Sequence, residues 1–367
     1  MVVDPAIPAE HRALLEKHLA PFPHKVQVAI ALVKDGSTVF LGAERTPEGL
    51  RKVDNRTGVF EIGSITKVFT ATLFAQEVTK GNLKMDDPVQ PFLPFRLNVS
   101  GRDGTEMTLK HLASHTAGFK HHQPPGLSRH AFFHAHRDDP YRCFDEARFE
   151  AYLRKDLELV SRPGAEYHYS NLGMSLLAKI LMLRSGKSYE TLLQERIFGP
   201  LGMSSSTTEI AKVRARVVQG VRGRGEAAPT TNMNALAPSG GILTCAEDMA
   251  RFARTQFAPA DSALALTQQP VFTIEPGYSV ALGWHLVDRT NGERWINHNG
   301  GMEGYTASVN VNPRKRCAVI VLCNYRNDDE RGEEIRSLCR ELLKGLEAQP
   351  EKTGLGPQTS GRTETRL

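Results

Sequence analysis

The order of elements along this chain predicts an α+β fold, because strand-like and helix-like segments are segregated instead of alternating. Strand-like runs lie near both ends, at 26–33 and 38–43 and again at 306–312 and 317–323, while helical patterns fill the middle from about 64 to 258. A helix-like stripe stands beside the strand signals at each terminus.

Residues 9–19 read as a short amphipathic helix. The runs 26–33 and 38–43 are rich in β-formers and flank Asp35-Gly36, a two-residue hairpin signal. Strong helix formers occupy 68–80, and Gly81 follows as a stop. After the Pro163-Gly164 turn, Leu172, Leu176, Leu177, Ile180 and Leu181 trace a helix that ends at Gly186. Thr244 and Glu247 have capping-box spacing and predict another helix start. Residues 306–312 alternate polar and apolar, 317–323 are continuously apolar, and 312–316 supply a turn between them. Ile335, Leu338, Cys339, Leu342, Leu343 and Leu346 form one stripe of a final helix. Residues 349–367 have no apolar face and read as a disordered tail.

With 367 residues, 40% hydrophobic and 24% charged, the chain has the composition of a soluble globular protein. Its key motifs lie far apart and must converge, so residues 1–348 are expected to form one catalytic domain. Its sheet region is expected at about 8–62 and 280–348, and its helical region at about 63–279. A net charge of +5 is small for this length, and the local basic clusters (Arg222, Arg224 and 314–316) lack interleaved aromatics. Nucleic acid is not an expected partner. No apolar run approaches the ~18 residues of a membrane span. The N-terminal segment has no basic or apolar signal-peptide region, so a cytoplasmic location is expected. Five cysteines, with no C-x-x-C pair, read as free thiols in a reducing compartment. Neither a P-loop nor G-x-G-x-x-G is present, and no cofactor is expected.

The chemistry is concentrated in Glu61-Ile62-Gly63-Ser64-Ile65-Thr66-Lys67. A serine and a lysine three apart share one face of a helix start, so hydroxyl and amine can meet. A serine is a poor nucleophile until a base sits beside it. Tyr169-Ser170-Asn171 follows on a connection, where catalytic groups are often displayed, although Asn171 also reads simply as a helix N-cap. His298-Asn299-Gly300-Gly301 lies just before a strand-like run, with the glycines readable as a bulge or turn.

Together these residues resemble the serine β-lactamase and penicillin-binding-protein superfamily, whose motifs include S-x-x-K. Y-x-N and H-x-G make the match closer to the class C β-lactamases, D,D-peptidases and family VIII esterases. The segments 111–118 and 239–244 look like further motifs of the same superfamily. The resemblance spans about residues 25–345. It implies an antiparallel sheet flanked by terminal helices, an inserted helical subdomain, and an active site in the cleft. By that resemblance Ser64 is the nucleophile, and Lys67 or Tyr169 is the base. Asn171 hydrogen-bonds Lys67 or substrate, and the backbone N–H groups of Ser64 and Gly301, beside Gly300, form the oxyanion hole. The expected activity is hydrolysis of a small ester, amide or peptide through an acyl-enzyme, with D-Ala-D-Ala carboxypeptidase, β-lactamase, acyltransferase and non-catalytic binding as alternatives. His298 replaces a lysine found in many members. An imidazole is mostly neutral at pH 7 and anchors a substrate carboxylate weakly, though it can donate a hydrogen bond. This favours uncharged esters and amides over penicillins.

Histidine is the rival signal: His111, His115, His121, His122, His130, His134 and His136 crowd one segment. The i, i+4 pairs have metal-ligand spacing. With no H-E-x-x-H and no carboxylate ligand, the segment reads as a polar loop over the cleft, and no metal is expected.

Overall fold

The computed structural model describes residues 7–349 except 126, 128–138, 258–260 and 327–328. The expected tail, apart from Gln349, and His130, His134 and His136 lie outside the described residues.

Helix α1 (Ala9–Leu19) leads into strands β1 (Gln27–Lys34), β2 (Ser37–Thr46) and β3 (Gly49–Lys52). Asp35 and Gly36 both take positive φ (50° and 83°), the backbone that a tight two-residue hairpin demands. The chain then enters the helical region through a 3₁₀ turn (Gly63–Ile65) and α2 (Thr66–Thr79). Helices α3 (Leu109–Ala113), α4 (Asn171–Ser185) and α5 (Ala246–Thr255) follow. The sheet resumes with β4 (Phe272–Glu275), β5 (Tyr278–Val280), β6 (His285–Asp288), β7 (Arg294–Met302), β8 (Tyr305–Asn312) and β9 (Cys317–Cys323), and α6 (Asp329–Ala348) closes it. These nine strands form one antiparallel sheet in the order β4-β5-β6-β7-β8-β9-β1-β2-β3. Strands from the two ends of the chain therefore meet in its interior, Val28 opposite Cys323 and Val33 opposite Ala318.

The sequence of β1 and β9 is continuously apolar because both faces are covered. Alternate residues divide between two cores. Ala29, Ala31, Val33, Ala318, Ile320 and Leu322 join Phe69, Phe74, Leu176 and Trp284 beneath the helical region. Val28, Ile30, Val319 and Val321 pack with Leu15 and Leu19 of α1 and with Ile335, Leu338 and Leu342 of α6. On the first face, Phe69 of α2 stacks on Phe252 of α5, with ring centroids 4.2 Å apart.

Several expectations need correction. The sheet resumes at Phe272, earlier than the expected 280, since two short strands add to its edge. Thr244 does not cap α5. It lies in a two-residue strand paired with Phe60–Glu61, its hydroxyl bonds Ser206 (2.7 Å), and Cys245 takes the N-cap position. Ser170, not Asn171, is the N-cap of α4, its hydroxyl accepting from the Gly173 N–H at 2.9 Å. His298, Gly300 and Gly301 are neither loop nor bulge. They lie in regular register within β7, opposite Val309, Ala307 and Thr306.

Candidate active site

Ser64 sits in the 3₁₀ turn that feeds α2, pressed against β7. Glycine makes this contact possible. Gly63 has φ +50°, and a Cβ there would lie 2.7 Å from the Gly301 nitrogen. A Cβ on Gly300 would run into the Ile62 carbonyl and stand 3.1 Å from the Ser64 nitrogen. Turn and strand thus pack backbone on backbone, which gathers the Ser64 and Gly301 amides at one place. An oxyanion hole needs such a pair of fixed donors.

Lys67, one helical turn on, is fully buried. Its amine lies 3.0 Å from Ser64 Oγ and donates to the Ser239 carbonyl at 2.6 Å. Burial alone holds its pKa well below the ordinary lysine value. The amine also sits 4.7 Å from the centre of the Tyr169 ring. Burial pushes the Tyr169 phenol up, and a hydrogen bond with Ser64 offsets only part of that rise. The three predicted catalytic residues therefore converge.

Two of the histidines flank Tyr169. His115, 1% exposed, lies with its ring centre 4.5 Å from that of Tyr169. Its Nδ1 accepts from the Ser170 N–H at 3.2 Å, which leaves the proton on Nε2. His298, 2% exposed, is 6.5 Å from Tyr169 between ring centres. Its Nδ1 is 2.8 Å from the Asn299 carbonyl, an acceptor only, so Nδ1 carries the proton and Nε2 the lone pair. That Nε2 is buried with no partner among the described residues. The donating nitrogen is thus already engaged, and the imidazole offers the site an acceptor. This overturns the expectation of a donor to substrate.

His285 of β6 extends the cluster, 5.3 Å from His298 between ring centres and hydrogen-bonded through Nδ1 to the Tyr278 hydroxyl at 2.8 Å. Burial, then the Lys67 charge, lowers its pKa to about 4. Burial also lowers His115 and His298 well below the ordinary histidine value, and charge on Lys67 or His285 would lower them further. The three imidazoles are therefore neutral near pH 7. No motif singled out His285, which reaches the site only through the pairing of β6 with β7, His285 opposite Asn297. His115 did carry a signal, since it falls within the 111–118 motif.

Asn171 occupies the first turn of α4. Its N–H donates to the His122 carbonyl at 2.7 Å, and its Oδ1 is buried with no partner among the described residues. No hydrogen bond joins it to Lys67, contrary to one expected role. Three residues before Ser64, Glu61 is 4% exposed and accepts from the Thr231 N–H at 2.6 Å. Burial raises its pKa to about 8, although that hydrogen bond opposes the rise.

The histidine-rich segment is not simply a polar loop. His111 Nδ1 accepts from the Thr108 N–H at 3.2 Å and caps α3, while His115 is buried in the site. The pair is committed to separate structural contacts. Among the described residues no group of three or more His, Cys, Asp or Glu side chains could hold a metal ion. All five cysteines are free thiols, four of them buried. No helix among the described residues is long and apolar enough to cross a membrane.

The family model described as Beta-lactamase matches residues 15–343. The D-alanyl-D-alanine-carboxypeptidase/endopeptidase AmpH of Escherichia coli (strain K12) is 28% identical over 313 residues, covering 80% of this chain and 78% of that protein. Penicillin-binding protein 4 of Amycolatopsis lactamdurans is 27% identical over 323 residues, covering 82% and 81%. Among solved structures, the octameric penicillin-binding protein homologue from Pyrococcus abyssi superposes with a TM-score of 0.76 at 24% identity, covering 93% of this chain and 77% of that one.

Proposed function

The chain belongs to the Beta-lactamase family and is a serine hydrolase of that family, and on that premise we propose that it cleaves an ester or amide bond through an acyl-enzyme on Ser64. One observation carries the reading: a wholly buried Lys67 amine 3.0 Å from the Ser64 hydroxyl, with its pKa lowered by burial. A neutral amine has the lone pair a general base requires, so Lys67 takes the Ser64 proton as Oγ attacks the carbonyl carbon. Burial works against the phenolate of Tyr169, which makes it a poor resting base. Tyr169 instead relays to the leaving group the proton that Lys67 has taken from Ser64. The Ser64 and Gly301 amides receive the oxyanion, and water releases the acyl group.

At neutral pH the His298 side of the cleft presents a lone pair instead of a cation. It suits a substrate group that donates a hydrogen bond, such as an amide N–H. Peptide bonds meet that requirement, in keeping with the carboxypeptidase/endopeptidase name of the AmpH relative.

The test is intact-protein mass spectrometry after incubation with short esters, D-peptides and penicillins. An acyl adduct should form and map to the Ser64 peptide, and Ser64→Ala should abolish both adduct and turnover. Undiminished turnover by Ser64→Ala would refute the assignment.

A further inference from the structure

The Ser239 carbonyl that holds Lys67 belongs to a helix of only four residues, Ala237–Gly240, in which Pro238 and Ser239 are buried. If that helix continued, the Ile242 and Leu243 N–H groups would reach the Pro238 and Ser239 carbonyls. They go elsewhere. Ile242 donates to Thr66 Oγ1 at 3.1 Å, and Leu243 donates to the Thr207 carbonyl at 2.8 Å. A buried carbonyl without a donor is costly, and α2 supplies the missing donors from one face. Thr70 donates its hydroxyl proton to the Pro238 carbonyl at 2.7 Å, and Lys67 donates to the Ser239 carbonyl at 2.6 Å. Thr66, Lys67 and Thr70 are all wholly buried.

A helical threonine can return its hydroxyl to the carbonyl four residues back, as Thr72 does to Val68 at 2.8 Å. Thr70 reaches across to another segment instead. Its one proton is spent on Pro238, so in the 2.7 Å contact between Thr70 and the Tyr189 hydroxyl the tyrosine donates. Tyr189 opens the short helix Tyr189–Leu193 and is buried. Burial pushes its phenol up, which keeps that proton in place. A one-way chain therefore runs from Tyr189 through Thr70 to the backbone that holds Lys67.

We propose that Thr70 is a positioning residue for Lys67: fed by Tyr189, its hydroxyl holds the Pro238–Ser239 backbone and so keeps the Lys67 amine directed at Ser64. The proposal rests on the Ser64–Lys67 acyl-enzyme reading and adds residues that touch neither substrate nor nucleophile. Without the Thr70 hydroxyl the Pro238 carbonyl loses its donor. An ammonium has three donors, so that carbonyl can recruit the Lys67 amine, one helical turn away on the same face of α2. Recruitment would draw the amine from Ser64 and, by adding an acceptor, favour its charged form.

The experiment compares Thr70→Val, Thr70→Ser and Tyr189→Phe on one ester across pH, with kcat referred to the fraction of Ser64 that acylates. Thr70→Val should lose roughly tenfold or more in kcat with KM nearly unchanged. Its acid limb in kcat/KM should move to higher pH by about half a unit or more. Thr70→Ser, which keeps the hydroxyl, should return both to near wild type, and Tyr189→Phe should show a smaller shift in the same direction. The titratable groups that face the Lys67 amine, Tyr169 with His115, His122, His285 and His298, are left in place by all three substitutions. A purely structural role would lower the melting temperature and leave the limb where it was. That result, or Thr70→Ser as impaired as Thr70→Val, would overturn the proposal. Should Thr70→Val fail to fold, Tyr189→Phe decides: an unmoved limb counts against it. The underlying reading fails separately, when Lys67→Ala or Ser64→Ala keeps wild-type turnover.

Discussion

The Lys67 amine donates to the Ser239 carbonyl at 2.6 Å while standing 3.0 Å from the Ser64 hydroxyl. The first contact fixes the nitrogen in place, and the second aims it at Ser64 Oγ. Among the described residues no carboxylate pairs with it, and burial holds its pKa well below the ordinary lysine value.

Ser64, Lys67 and Tyr169 touch one another, so their losses should not add. Lys67→Ala and Tyr169→Phe are each expected to lower kcat by at least ~10²-fold, in line with general-base contributions. The double variant should be little worse than the poorer single one. Steady-state kinetics on one ester tests this, and a Tyr169→Phe protein with near-normal kcat would reduce that tyrosine to packing.

The pH profile follows from the direction of the Lys67 shift. The amine is the active form, and its pKa is depressed, so the acid limb of kcat/KM should lie well below the ordinary lysine range. An acid limb centred near pH 10, the ordinary lysine range, would show that burial does not control this group.

Glu61 gives a stability prediction of opposite sense. Its folded-state pKa is raised from 4.5 to about 8, so the folded protein holds the proton more tightly than the unfolded chain. The contribution is complete below the unfolded value and is lost as pH rises through about 8. Glu61→Gln removes this loss. Urea denaturation at about pH 5 and about pH 8.5 should show the difference between variant and wild type moving in the variant's favour at the higher pH. A difference that stays constant would contradict the assignment.

Gly300→Ala tests the backbone contact beneath the site. Its methyl would meet the Ile62 carbonyl, which belongs to the turn carrying Ser64 and cannot swing aside as a side-chain end would. Stability should drop by roughly 1–3 kcal/mol, with kcat reduced as the turn is displaced. Unchanged melting and turnover would mean the two backbones are less tightly coupled than their geometry indicates.

Local patterns made much of this fold legible. Residues 317–323 read as a strand because seven apolar residues in a row suit a strand buried on both faces, and β9 has those bounds. The Asp35-Gly36 turn and the stop at Gly186 were equally plain, since both depend on left-handed backbone, at two positions in the turn and at one in the stop. Ser64, Lys67 and Tyr169 were visible through their motifs. His285 was not, because a single histidine in a short strand has no local pattern, and only strand pairing gives it neighbours. The state of His298 was also hidden. Which ring nitrogen holds the proton depends on the Asn299 carbonyl, a contact formed only once β7 takes its place.

The register of β1 with β9 has a consequence for the protein's birth. Val28 waits for Cys323, and Ser64 waits for Gly301, before either contact exists. A ribosome releases Ser64 and Lys67 well before the strand that would supply the second amide. Pairing at such sequence separation is slow to nucleate. The nascent chain therefore carries Ser64 before Gly301 exists to pack against its turn, and the site is complete only once β7 is in place.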